Sequence, residues 1–235
     1  MVLNPNVKSL GSKFTRGALA RYAFAMENSG ANLAAVTQSH SFFNRSVVFN
    51  NYPITDLLAE YTPSYMDQSA KALLQEGLAA QEMTQLDKLT VLIPSDISYS
   101  VVAENINQLW QKELGLFFTL ELLPNSEITR RVTNGDFDIA FFSSKPVSSN
   151  PATILLQHKG FGDDIATHIA MLEGGYLSSA ETIQTIEHAH NDILEAAYVV
   201  PMCTDTSKYI HKSYFKDIDI NPFGNIVNLK YATVK

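Results

Sequence analysis

The residues best suited to recognise a ligand are hydroxyls and one amine on two short stretches. Ser143, Ser144 and Lys145, with Val147 shortly after, form a loop-like run to Asn150 directly behind the apolar segment that ends in Phe141 and Phe142. Serine hydroxyls donate and accept hydrogen bonds, and the Lys145 ammonium can pair with a carboxylate. Ser95, Asp96 and Tyr99 make a second group behind residues 89–94. This is recognition chemistry. The plainer reading is a solvated connector, since Ser, Lys and Pro are ordinary loop residues.

Other candidates lead nowhere chemically. His188 and His190 are two apart on a helical stretch and point to nearly opposite faces, whereas chelation wants a spacing of three or four. Cys203 has no base or orienting group in any local signature and suits a small buried hydrophobe. Gly160 to Asp164 lacks the Gly-Lys-Ser/Thr of a phosphate loop; Asp163 and Asp164 favour the start of a helix. Asp136 and Asp138 could be imagined as an acid and base pair, but Asp136 falls in a turn and a structural role there is the simpler reading. No Gly-x-Ser-x-Gly elbow occurs, which weighs against a small hydrolase. The expectation is a non-enzyme with no catalytic residue, no metal and no cofactor.

The candidate stretches need elements to hold them. Residues 89–93 are an apolar run closed by Pro94, the pattern of a strand buried on both faces. From 99 to 114 the period changes: Val102, Ile106, Leu109, Trp110 and Leu114 share one helical face, and Gly115 stands where a left-handed cap is wanted. A strand over 116–122 follows, then a short helix after Pro124 and Asn125 with Ile128 and Val132 on one face and Gly135 beyond it, then a strand over 137–142. Two strand, helix, strand crossovers imply parallel pairing with right-handed connections. The expected fold class is α/β, an open, mainly parallel sheet with flanking helices. Its ligands should sit at the carboxyl ends of the strands, residues 94–98, 123–126 and 143–151.

Around this centre the periodicity predicts a helix over 14–26, with Arg16 and Arg21 facing outward, and a short helix over 33–38. A strand is expected over 46–49, then a helix over 67–77 stopped by Gly77. Later come a helical turn or two near 153–157, a helix over 161–172, and a long helix over 178–196 capped by Ser178 and Ser179. Residues 198–202 and 226–234 read as strands. No repeat, low-complexity segment or Pro/Gly/Ser-rich linker divides the chain, so 1–235 reads as a single α/β lobe with a tail at 216–235.

At 235 residues and 46% hydrophobic content a substantial core is possible, in one large domain or two small ones. The formal charge of −7, from 17 Lys and Arg against 24 Asp and Glu, would repel a phosphate backbone, so no nucleic-acid partner is expected. One cysteine excludes an internal disulfide and leaves the compartment open. No stretch approaches a membrane span. Residues 1–15 carry no secretion leader, so the sequence reads as cytosolic or as an excised piece of a longer protein.

Several phrases resemble the oligopeptide, dipeptide and nickel family of bacterial ABC-transporter solute-binding proteins. They are YTPSYMDQSAKALLQEGL from Tyr61, GDFDIA from Gly135, Leu114 and Gly115 before a strand, Asn150 and Pro151 after one, Val200, Pro201 and Met202 after the long helix, and Arg16, Gly17, Ala18 and Leu19 near the start. The ordered set covers residues 14–235. The resemblance implies a periplasmic-binding-protein-like (type II) lobe, the carboxyl-terminal half of a two-lobed protein that captures a peptide or peptide-like solute and delivers it to an ABC permease in the membrane. It implies an extracytoplasmic, membrane-anchored lipoprotein parent, a monomer, with the leader outside this chain. The 216–235 tail would then pack between the lobes or on the other lobe. Phe141, Phe142, Ser143, Ser144, Lys145, Val147, Ser95, Asp96 and Tyr99 would face the solute. The family's peptide binders carry a tryptophan and, three residues on, an aspartate for the peptide ammonium; Ser144 and Val147 fall there, and valine cannot pair with a cation. The alternative is a solute-sensing domain of a cytosolic transcription regulator with the same fold.

Overall fold

The computed structural model describes residues 1–24, 36–145, 148–161, 163–205, 215–221, 226–228, 230 and 232–234. In chain order the strands are β1 (Val2–Leu3), β2 (Val36–Gln38), β3 (Val48–Phe49), β4 (Tyr52–Pro53), β5 (Thr90–Pro94), β6 (Thr119–Leu123), β7 (Ile139–Ala140), β8 (Cys203–Asp205), β9 (Phe215–Lys216), β10 (Asp219–Asn221), β11 (Ile226–Asn228) and β12 (Thr233–Val234). The α-helices are α1 (Lys13–Phe24), α2 (Ala70–Ala80), α3 (Ile97–Leu109), α4 (Asn125–Asn134), α5 (Pro151–Leu155), α6 (Asp163–Gly174) and α7 (Ser179–Glu195).

The central sheet has the order β1-β7-β5-β6. β5 pairs in parallel with β6 from Thr90↔Thr119 to Pro94↔Leu123, and with β7 at Val91↔Ile139 and Leu92↔Ala140. The parallel expectation for this region therefore holds. Successive β5 side chains bury on opposite faces: Val91 and Ile93 join the main core with Leu3, Ile139 and Phe141, while Leu92 packs with Val2, Ala140 and Ile128 of α4. A strand covered on both sides reads as a continuous apolar run.

Helices finish where the chain supplies left-handed turns. Gly115 (φ 68°) closes the π-type turn Trp110–Leu114 that follows α3, and Gly135 (φ 75°) closes α4. α7 begins with a capping box in which Ser178 and Glu181 exchange hydrogen bonds. Trp110 is fully buried, and its indole Nε1 donates to Leu19 O at 3.0 Å. A second core joins Phe43, Val47 and Ile54 to Leu155, Ile165, Ile186 and Ile193.

Several expectations fail. Arg16 is not outward but 2% exposed. Its Nε donates to Ala196 O at 2.8 Å, and its Nη1 to Leu10 O at 2.7 Å and Gly11 O at 2.8 Å. The guanidinium also lies 4.2 Å from the Tyr198 ring centre. Gly77 does not stop α2, which continues to Ala80; a Cβ there would come within 2.2 Å of Thr15 Oγ1, so the glycine lets α1 and α2 cross closely. Residues 36–38 form strand β2 on β8, not a helix, and 25–35 lie outside the described residues. Residues 198–202 contribute only a bridge from Val199 to Val2. The predicted strand over 226–234 is two strands, β11 and β12. The described strands of the tail pair with one another, β10 with β11 and β12 with β9. Val2 and Leu3, for which the periodicity predicts no element, form β1, antiparallel to β7.

Candidate functional site

Because β5, β6 and β7 run the same way, their carboxyl ends meet on one rim. Ser95 N donates to Leu123 O at 2.8 Å, continuing the β5–β6 ladder by one residue before the chain turns into α3. Across the rim, Asn125 at the start of α4 holds the chain leaving β7: its Nδ2 donates to Ser143 O at 2.8 Å and its Oδ1 accepts from Ser143 N at 2.8 Å. Sequence reading saw Asn125 only as a helix-starting residue. Its place one residue after the Pro124 that ends a strand tip was the available signal.

The loop behind β7 is tied at its far end too. Ser148 Oγ accepts from Asn150 N at 3.0 Å, Asn150 Oδ1 accepts from Ala152 N at 2.9 Å to cap α5, and Val48 N donates to Ser149 O at 2.8 Å. Between these ties Ser143, Ser144 and Lys145 are exposed, as are Ser95 and Asp96 across the rim. Phe142 is half-buried against the core under α4. Phe141 is 5% exposed, its ring turned into the main core 6.2 Å from that of Trp110, so it props the rim from beneath. Val147 and the Tyr99 side chain lie outside the described residues.

Beside the rim, Glu121, Glu127, Arg130 and Arg131 form an ion-pair network on β6 and α4. Arg131 grips Glu121 through two bonds of 2.9 and 3.0 Å. Glu127 takes Arg130 and Arg131, and the hydrogen bond from Arg130 leads in holding its carboxyl down at about 2. Both guanidiniums are thereby committed to carboxylates. The exposed groups left on the rim at 95–96 and 143–145 are hydroxyls, the Asp96 carboxylate and the Lys145 ammonium.

The remaining candidates sit in structural roles. Asp138 Oδ2 accepts from Thr90 N at 2.8 Å and fixes the start of β5. Asp163 and Asp164 occupy the first turn of α6. His190 is 3% exposed, its Nε2 2.9 Å from Ser41 Oγ and its Nδ1 3.1 Å from Asn191 Oδ1, with the ring stacked on Phe43. Burial lowers its pKa to about 4. Among the described residues no group of three or more His, Cys, Asp or Glu comes together to hold a metal, and no helix is long and apolar enough to cross a membrane.

No protein-family model matches the sequence, and a search of curated proteins finds no match. Solved structures do match. The substrate-binding domain of an oligopeptide ABC transporter from Bacillus anthracis superposes with a TM-score of 0.74 at 17% identity, covering 99% of this chain and 48% of that one. The Escherichia coli murein tripeptide binding protein MppA gives 0.67 at 18% identity, with 99% and 47% covered. A peptide-binding protein of a peptide ABC transporter gives 0.68 at 14% identity, covering 87% of this chain and 96% of that one. The chain thus spans about half the length of the first two. Its fold is that of about half of each of the first two structures and of nearly all of the third.

Proposed function

We propose that this chain is the solute-binding half of an ABC-transporter substrate-binding protein, capturing a peptide or peptide-like solute without chemistry and delivering it to a permease. The observation that carries the reading is the convergence of three parallel strand tips on a polar rim tied together by Asn125 and Ser143. The fold of peptide-binding proteins across nearly the whole chain supports it.

In this reading Ser95, Asp96, Phe142, Ser143, Ser144 and Lys145 meet the solute, with Val147 and Tyr99 beside them by sequence position and Phe141 as support. Lys145 takes a carboxylate and the serines take amide or hydroxyl groups. A second half closes over the rim by hinge motion, the closed state is the one the permease recognises, and the 216–235 tail packs toward that second half. The parent is an extracytoplasmic, membrane-anchored monomer. The transport-associated neighbours favour this over the transcription-regulator reading.

A thermal-shift screen of the full-length parent against short peptides, amino acids, sugars and metal chelates tests it. A solute at a hundred times its dissociation constant adds about 2.7 kcal/mol, so peptides should raise the melting temperature clearly. The 235-residue chain alone should respond weakly. No response of the parent to any peptide, or an equal response of the isolated chain, would count against a shared two-lobe site.

A further inference from the structure

The spacing that separates His188 from His190 leaves His188 on the exposed side of α7, and the packing of α6 on α7 supplies it with another partner. The ring of His168 lies 5.6 Å from that of His188, centre to centre, with the planes inclined at 56°. Two imidazoles bonded to one ion at 2.0–2.1 Å hold their ring centres about 4.5 Å apart at adjacent positions of a tetragonal copper site and about 5 Å apart on a tetrahedral ion. A small side-chain adjustment brings this pair onto a common ion.

A carboxylate lies against one of the two rings, within ion-pair distance and without an aligned hydrogen bond. His168 Nδ1 lies 3.0 Å from Asp192 Oδ2, and both atoms are buried. A carboxylate at one ring nitrogen sets the tautomer and leaves the other to coordinate, the arrangement found behind metal-bound histidines. The His168 side chain is 24% exposed although Nδ1 is buried, so its open edge is elsewhere on the ring. A hollow of about 250 Å³ lined by His168, Met171, Gln184, Thr185 and His188 has room for the waters that would complete a coordination sphere. Glu181 borders it too, but its carboxylate holds Ser178 N at 2.8 Å. It also stands seven residues, about 10 Å along the helix, from His188.

We infer that His168 and His188 form a surface site for a late first-row transition-metal ion, Cu(II) ahead of Ni(II) and Zn(II), with Asp192 as the positioning residue. Imidazole nitrogen suits these ions, and copper heads their affinity order. The site uses none of the rim residues and stands independently of the proposed transport role.

Isothermal titration of copper(II) chloride into the 235-residue chain tests it, with imidazole NMR signals read for copper broadening. One equivalent should bind and broaden His168 and His188 together. His188→Ala and His168→Gln should each abolish that equivalent, and Asp192→Asn should weaken it about tenfold. His188 is exposed, so its variant reports on metal and not on folding; a melting curve checks His168→Gln. Absence of the equivalent from the unmodified chain, its survival in both histidine variants, or its loss in only one of them would overturn the shared site.

Discussion

Asn125 and Ser143, eighteen residues apart, exchange two hydrogen bonds of 2.8 Å, so that one side chain fixes both backbone groups of the residue where the chain leaves β7. This joins the tips of two strands that are not neighbours in the sheet, since β5 lies between β6 and β7. The rim keeps its shape through this tie.

Asn125→Ala should therefore loosen the rim more than it destabilises the protein. Two partly solvated bonds of this kind contribute about 1 kcal/mol each. Hydrogen exchange at residues 143–145 should speed up while most core amides stay protected, and, on the proposed function, peptide affinity of the full-length parent should fall. Unchanged exchange at 143–145 would show that the loop is held by other contacts.

Gly77→Ala should destabilise by about 1–3 kcal/mol, the range for overpacking, because the new Cβ meets Thr15 Oγ1 at 2.2 Å and Thr15 N at 2.5 Å. Gly174→Ala is the control, with its nearest neighbour at 3.6 Å. It should be neutral or gain up to about 1 kcal/mol of helix propensity. Urea denaturation of the two variants separates a crossing constraint from a general intolerance of alanine.

Arg16→Met should cost about 2–5 kcal/mol by stripping the carbonyls of Leu10, Gly11 and Ala196 of their charged donor, since each buried acceptor left unpaired costs about 1–3 kcal/mol. Arg16→Lys should rescue little, since one ammonium cannot span the fork or stack on Tyr198 as a planar guanidinium does. Denaturation midpoints of the two variants should be similar and low. A wild-type midpoint for the lysine variant would contradict the role of the fork.

Acid should weaken the second core. Burial lowers the pKa of both His158 and His190 to about 4 from an ordinary 6.5. Both are neutral in the fold and protonate more readily when unfolded, so their contribution is complete above about pH 6.5 and is lost as pH falls toward 4. At about 1.4 kcal/mol per unit, each can contribute up to about 3 kcal/mol. Among the described residues, the groups facing His190 include Ser41, Phe42, Phe43 and Asn191, none of which is charged to offset a proton; Phe42 faces His158. Urea midpoints between pH 7 and 4.5 should fall steeply, and less so in His190→Gln. Equal slopes in the two proteins would remove His190 from the account.

Much of the frame could be read from residues alone because its signals are local. The apolar run ending in Pro94, the four-three-one-four spacing from Val102 to Leu114, and the glycines at 115 and 135 each concern a segment of one element and its cap. The parallel order follows from them, since a crossover helix between two strands leaves little other choice. From the strand order came the rim, with Ser95 and Ser143 to Lys145 on it. Tertiary structure decided what depends on segments distant in sequence. Val2 becomes a strand only by pairing with Ala140; Arg16 is buried only because the carbonyl of Ala196 comes to it; Gly77 is an interior crossing because Thr15 lies against it. Asn125 found Ser143, and His188 found His168 in place of His190, for the same reason. Periodicity records which side of an element is apolar, but the partner that a polar side chain meets is set by how the elements pack.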